Sequence, residues 1–257
     1  MLELNRIHCG DNCDLLGKMP RECVDLVVTS PPYDDLRTYG GHSWDFFGVA
    51  WHLKRVLKPG GVIVWVVADE TRDFCETGSS MEQALHFKRL GLNLLDTMPY
   101  LKNGGPSPYP GLMRYPSWWE FMFVVTKGKP KTFNPIKDRQ NVRAKAERAT
   151  ARQRDGSTKD AGAFEGNEHG LRPNYWEYSP QSDRETNHPA PFPLDLARDH
   201  ITTWSNPGDL VLDPFSGSGT TAKAAKTLGR QFIGLEVNPE YCRIAEQRIA
   251  QEVLALA

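Results

Sequence analysis

The sequence predicts an α/β fold, an open parallel sheet covered by helices on both faces and carrying an insertion at its ligand edge. Three observations support this. Apolar, β-rich runs alternate with helical patterns at both ends of the chain, which implies parallel strands joined by helical crossovers. From Lys131 to about Ser182 that periodicity disappears. Two short motifs, Thr29-Ser30-Pro31-Pro32-Tyr33 and Asp213-Pro214-Phe215-Ser216-Gly217-Ser218-Gly219-Thr220-Thr221, each follow an apolar strand-like run. Each motif then sits at the C-terminal end of a strand, the edge where open α/β sheets bind ligands.

Taken in order, Asn5 to Cys9 reads as a strand, Asn12 to Met19 as a helix and Val24 to Thr29 as a second strand. A helix over Ser43 to Leu57 is stopped by Lys58-Pro59-Gly60-Gly61. The continuous apolar run Val62 to Ala68 suits a buried central strand. Ser79 to Leu90 suits a helix with Gly91 just past its end, and Asn93 to Leu101 and Glu120 to Thr126 suit two more strands. After the middle segment come a helix over Leu194 to Trp204, a strand at Leu210 to Leu212 and a helix over Thr220 to Leu228 closed by Gly229. A strand at Gln231 to Leu235 leads into the last helix, with Asn238 as N-cap and Pro239 in its first position. Trp118 and Trp119 are expected to serve ordinary packing.

Composition narrows the classes. A length of 257 residues holds one α/β domain plus an insertion, not two full catalytic domains. The five cysteines form no Cys-x-x-Cys pair, so neither a zinc site nor a disulfide framework is expected and a reducing compartment fits. Glu3, Arg6 and His8 interrupt the N-terminal apolar residues, which is unlike a signal peptide, and Val62 to Ala68 is too short to span a bilayer. A soluble cytoplasmic protein is expected. The net charge of -1 decides nothing, since a nucleic-acid enzyme can confine its positive charge to one face.

The two motifs resemble those of the amino-methylating DNA methyltransferases, and their order, catalytic before cofactor, resembles the β class of that family. The resemblance covers most of the chain outside its middle. It implies a Rossmann-like S-adenosylmethionine-dependent methyltransferase sheet, circularly permuted, with a basic target-recognition insertion. Residues 1–130 would be the catalytic half, 131–185 the insertion and 186–257 the cofactor half. Methyltransferase sheets have a third strand, after the ribose-binding one, that presents a residue to the cofactor's adenine. This chain stops soon after the second such strand, so Asn5 to Cys9 would supply the third and Asp11 the adenine contact; an N-cap role for Asp11 is the plainer alternative.

Gly217 and Gly219 allow a tight turn that a ligand can approach, followed by a helix N-terminus. The same run, through Ala222 and with an acid about 20 residues on, also satisfies the loose dinucleotide fingerprint. The intervening Asp213-Pro214-Phe215-Ser216 separates the two readings, because a pyrophosphate needs its first glycine almost directly after the strand. A carboxylate at the strand end suits the ammonium group of S-adenosylmethionine. The cofactor set is then Asp213, Pro214, Phe215, Gly217, Ser218, Gly219 and Thr220, with Glu236 accepting from the ribose hydroxyls and Asn238 beside it. The resemblance adds Phe192, in His188-Pro189-Ala190-Pro191-Phe192-Pro193, beside the methionine part; a structural proline-rich turn is the alternative.

At the other motif, Ser30 Oγ and the Pro31 carbonyl suit hydrogen-bond acceptors for an exocyclic amino group, Pro31 and Pro32 fix the loop, and Tyr33 offers a ring face. Serine in this position usually accompanies cytosine N4 methylation in the family, and aspartate or asparagine adenine N6 methylation. N4-cytosine methylation of duplex DNA is the expected activity, with N6-adenine methylation as alternative. No cysteine stands in the Pro-Cys context of carbon-5 methylation. Between Lys137 and Asp160 basic residues outnumber acidic ones by 8 to 4, and Lys137, Arg139, Arg143, Lys145, Arg148, Arg152 and Arg154 are the expected DNA contacts. Arg37 and Tyr39 join them from a segment able to close over a displaced base. A solvated linker is the other reading of this charge run. The segment is expected to be partly disordered without its partner. A nicotinamide oxidoreductase, a non-catalytic DNA-binding module and an RNA substrate are the remaining alternatives, while a cognate restriction endonuclease and a homodimer stay open as partners.

Overall fold

The computed structural model describes residues 2–33, 44–103, 114–141, 145–165, 167–179 and 193–251. The chain divides into two compact units, Met1–Asn134 with Asn174–Ala257, and Pro135–Pro173. The larger unit opens with β1 (Arg6–Cys9), α1 (Asn12–Gly17), β2 (Val24–Thr29), α2 (Phe46–Val56) and β3 (Leu57–Val67). A two-residue ribbon, β4 (Thr71–Arg72) with β5 (Cys75–Glu76), leads to α3 (Ser79–Arg89), β6 (Asn93–Lys102) and β7 (Trp119–Thr126). The smaller unit holds β8 (Arg139–Gln140), β9 (Lys145–Arg152), β10 (Thr158–Glu165) and β11 (His169–Gly170). The larger unit then resumes with β12 (Trp176–Tyr178), α4 (Leu194–Trp204), β13 (Leu210–Asp213), α5 (Thr220–Thr227), β14 (Gln231–Glu236) and α6 (Pro239–Gln251).

Eight strands form one sheet in the order β1-β14-β13-β2-β3-β7-β6-β12. The N-terminal strand joins the C-terminal one in parallel, Arg6 opposite Ile233 and Cys9 opposite Glu236. The strand that the permutation calls for is therefore the first one in the chain. The sheet is mixed rather than parallel as expected, because β7 runs antiparallel to both β3 and β6. A parallel return from β6 needs a helical crossover. The connecting sequence instead carries Pro106, Pro108, Pro110 and Pro116 with no helical periodicity. β3 also starts earlier than expected, at Leu57. The Lys-Pro-Gly-Gly stretch that ends α2 is taken into the strand as an irregularity, with Val24 opposite Leu57 but Leu26 opposite Val62.

Alternating strand residues divide the core. Val27, Ile63, Trp65, Phe123, Leu212 and Ile233 pack with buried residues of α1, α2 and α3. On the opposite face Leu26, Val28, Val64 and Met122 are also buried, and His200 of α4 reaches the Met122 sulfur at 3.2 Å. Burial on both faces explains why these strands read as unbroken apolar runs. The described residues of the smaller unit form two antiparallel ribbons, β9 with β10 and β8 with β11. The sequence Lys-Ala-Glu-Arg-Ala-Thr-Ala-Arg mixes small and charged residues and carries no apolar period to detect.

Candidate active site

β13 and β2 lie side by side in parallel, Val211 opposite Leu26 and Leu212 opposite Val27. From β13 the chain proceeds through α5 to β14 on one side, and from β2 through α2 to β3 on the other. This is a switch point of an open α/β sheet, where a crevice forms beyond the strand ends. The two motif loops leave β13 and β2 at this point.

Side chains tie the loops together. Thr29 Oγ1 donates to Asp213 Oδ1 at 2.6 Å, the Phe215 amide donates to the same oxygen at 3.0 Å, and Thr221 Oγ1 donates to the Val28 carbonyl at 3.2 Å. Asp213 is only 2% exposed. Burial pushes its carboxyl up from 3.8 to about 6, opposed by hydrogen bonding with Thr29, Thr221 and Phe215 and assisted by the Glu236 charge. The Asp213 carboxyl is the tie between the loops, its Oδ1 taken by Thr29 and Phe215. Asn12, which the sequence reading missed, adds a longer contact from its Nδ2 to the Pro214 carbonyl at 3.4 Å.

The glycine loop is held from below and from the side. Gly217 and Gly219 have φ of 49° and 82°, and a Cβ on Gly219 would stand 2.9 Å from that of Ala245 on α6. Arg248 of α6 donates from Nη1 to Ser218 O and Oγ at 2.8 and 3.1 Å. Glu236, at the end of β14, accepts the Gly217 amide on Oε2 and the Asn238 amide on Oε1, both at 2.8 Å. A carboxylate has about four acceptor positions, so one at the end of a strand can take several donors at once. Asn238 caps α6, its side-chain oxygen accepting the Glu240 amide at 2.9 Å. Phe215 meets Trp44 edge-on at 4.8 Å, in front of Trp65. Thr220 is buried at the start of α5.

These bonds bear on the choice of cofactor. The amides of Phe215, Ser216, Gly217 and Gly219 are bonded to Asp213, Leu235, Glu236 and Ser216. A pyrophosphate cradle needs such amides pointing at the ligand. Here these four donors are taken up internally, whereas the Glu236 carboxylate suits a ribose diol and the Phe215 ring an apolar ligand wall. The arrangement fits an adenosine cofactor without phosphates better than a dinucleotide.

In the other loop, Ser30 Oγ stands 2.8 Å from Tyr33 OH, and Tyr33 OH donates to Glu120 Oε2 at 2.9 Å. Lys102 pairs with the other Glu120 oxygen. Pro31 is buried, whereas Ser30, Pro32 and Tyr33 are partly exposed. Glu120 and Lys102 were missed in sequence; the available signal was a lone acid in the apolar strand Trp-Glu-Phe-Met-Phe-Val-Val-Thr. Asp11 caps α1, accepting the Asp14 amide at 3.1 Å, and is exposed. Trp118 and Trp119 are 51% and 41% exposed, and Trp119 packs edge-on against Phe121 at 4.6 Å.

In the smaller unit Lys137, Arg139, Arg152 and Arg154 are exposed, with Arg139 bonded to Asn141. Lys145 and Arg148 lie on β9. Arg37, Tyr39, Arg143 and Phe192 fall outside the described residues. Among the described residues no cluster of three or more His, Cys, Asp or Glu could hold a metal, and no helix is long and apolar enough to cross a membrane.

An open α/β sheet with two motif loops tied at its switch point is the architecture of an α/β enzyme whose candidate ligand crevice lies at β13 and β2. Comparison with known proteins gives the family. The N6/N4 DNA methylase family matches residues 24–247. The orphan methyltransferase M.BamHII of Bacillus amyloliquefaciens is 46% identical over 241 residues, covering 90% of both chains. The crystal structure of TTHA0409, a putative DNA modification methylase from Thermus thermophilus complexed with S-adenosyl-L-methionine, superposes with a TM-score of 0.65 at 28% identity, covering 96% of this chain and 95% of that one. The M1.HpyAVI–SAM complex does so with a TM-score of 0.63 at 26% identity, covering 95% and 98%. The chain belongs to the N6/N4 DNA methylase family.

Proposed function

We propose that this chain transfers a methyl group from S-adenosylmethionine to the exocyclic N4 amino group of cytosine in duplex DNA. The Thr29–Asp213 bond carries the reading, because it ties the amine-binding loop to the cofactor loop across one crevice. Glu236 would hold the ribose, Gly217 and Gly219 would let the cofactor approach the backbone, and Phe215 would wall it. Bound there, the cofactor supplies a methyl group already activated on a cationic sulfur.

The chain's own task is to make a poor nucleophile adequate. The lone pair of a cytosine amino nitrogen is delocalised into the ring. Ser30 Oγ and the Pro31 carbonyl would draw the two N–H hydrogens into hydrogen bonds, so that the lone pair localises and points at the methyl group. Pro31 and Pro32 lack amide hydrogens and fix φ, which keeps the acceptors in set directions. Because the donor is activated, alignment and exclusion of water supply most of the remaining catalysis. A base within a duplex cannot reach such a crevice and has to be flipped out.

Serine at the head of Ser-Pro-Pro-Tyr is what favours cytosine N4. Mass spectrometry of nucleosides from DNA methylated by the purified protein decides the matter. N4-methylcytosine is expected; N6-methyladenine in its place would overturn the choice of base but not the class of enzyme.

The β9–β10 ribbon supports DNA as the polymer bound. A two-stranded ribbon fits a major groove, and Arg152, Arg154 and Lys159 are exposed around the turn formed by Gln153, Asp155, Gly156 and Ser157. Changing the three cations together to alanine is expected to weaken binding to all DNA sequences alike. If each meets one phosphate, the slope of log affinity against log salt falls in magnitude by about 2.7. Fluorescence anisotropy across a salt series measures it, and an unchanged slope would remove them from the phosphate contacts.

A further inference from the structure

We propose that Glu120 is a positioning residue that fixes the direction of the hydrogen bonds at Ser30 and, through Tyr33, takes up the proton released by the target amino group. The inference rests on reading Ser30 as an acceptor for that amino group. It begins from a property of carboxylates, which when ionised only accept. Tyr33 OH at 2.9 Å from Glu120 Oε2 is therefore the donor in that contact. Its single hydrogen is then spent, so in the 2.8 Å contact with Ser30 the tyrosine oxygen accepts and Ser30 donates. A serine hydroxyl has one hydrogen and two lone pairs. With its hydrogen committed to Tyr33, Ser30 presents only lone pairs to an incoming amine.

That polarity matters to the chemistry. A hydroxyl free to rotate can point its hydrogen at the amino nitrogen and tie up the lone pair that must attack. A chain anchored on Glu120 forbids this. The anchor is itself held, because Glu120 is 9% exposed, sits opposite Tyr100 in the β6–β7 pairing and is bound by Lys102 two residues further along β6. A carboxylate so removed from water needs such partners.

The same chain balances the reaction. As the nitrogen–carbon bond forms, the carbon–sulfur bond breaks and its electron pair stays on sulfur, giving a neutral thioether. The amino nitrogen passes one proton to Ser30 Oγ, the Ser30 hydrogen moves to Tyr33, and the Tyr33 hydrogen moves to Glu120. The positive charge lost from sulfur is matched by the negative charge lost from the carboxylate.

Tyr33→Phe and Glu120→Gln test this. The phenylalanine keeps the ring and leaves the Glu120–Lys102 pair intact, so it guards against a folding defect in the glutamine variant. Each is expected to lower the single-turnover methylation rate by about 10–100-fold, at the lower end of proton-transfer effects. The KM for DNA and the calorimetric Kd for S-adenosylmethionine of both variants should stay close to wild type, as should the melting midpoint of Tyr33→Phe. Since both changes cut one chain, the double variant should be about as slow as either single one. A wild-type rate in Glu120→Gln, or a double variant slowed by the product of the two single effects, would overturn the proposal. The reading beneath it fails differently, namely if the wild-type protein yields no N-methylated base in DNA.

Discussion

Replacing Ser30 by alanine is expected to lower the rate of methyl transfer by roughly 10²–10³-fold, the range found when one preorganised transition-state hydrogen bond is removed. The change deletes an oxygen whose value rises as charge develops on the amino nitrogen, so kcat should fall while the KM for DNA moves little. Glu236 and the glycine loop are untouched, which keeps the Kd for S-adenosylmethionine within about twofold. Stability should hold as well, because Ser30 is partly exposed and Tyr33 keeps its bond to Glu120. Steady-state kinetics with tritiated methyl donor, beside calorimetry, separates these quantities. If Ser30→Ala retains more than half of the wild-type kcat, the hydroxyl does not take part in amine activation and the Pro31 carbonyl carries that role alone.

What the sequence disclosed follows from where its signals are local. The apolar runs ending in Thr29 and Asp213 could be read because both strands are buried on two faces. Asn238-Pro239 marked a helix start because the cap bond to Glu240 spans only two residues. The partner of the N-terminal strand followed from counting strands against the family, and β1 does lie beside β14. What stayed hidden depends on pairings distant in sequence. Glu120 meets Tyr33 across 87 positions, and no pattern near either residue announces the other. The reversed direction of β7 depends on a linker whose sequence specifies only that it is not a helix. The tie made by Asp213 was hidden for a different reason: an acid at a strand end suits an external cation as well as an internal bond, and its contact with Thr29 spans 184 positions. The strands of the smaller unit mix small and charged residues and so gave no period.

Asp213 also supports the second large effect. Asp213→Ala leaves the Thr29 hydroxyl and the Phe215 amide without their acceptor in a buried place. Each such orphan costs about 1–3 kcal/mol. A loss of roughly 3–5 kcal/mol in unfolding free energy is therefore expected, together with loss of activity as the two loops separate. Asp213→Asn keeps an oxygen for both donors and carries no charge, so it should fold and retain the tie. The pair of variants also isolates a pH effect. Burial raises the Asp213 carboxyl from 3.8 to about 6, whereas the unfolded chain ionises near the ordinary value. Between those values the folded protein retains a proton that the unfolded chain has released. The protonated carboxyl thus favours folding fully below about pH 4, and that advantage is lost as the pH rises through about 6. The shift corresponds to roughly 3 kcal/mol at about 1.4 kcal/mol per pH unit. Urea unfolding of wild type and Asp213→Asn at intervals from pH 4 to 7 reads the difference, other titrating groups being common to both. Wild type should lose stability relative to the asparagine variant across that window, and parallel curves would mean that the buried carboxyl keeps its ordinary pKa and is ionised throughout.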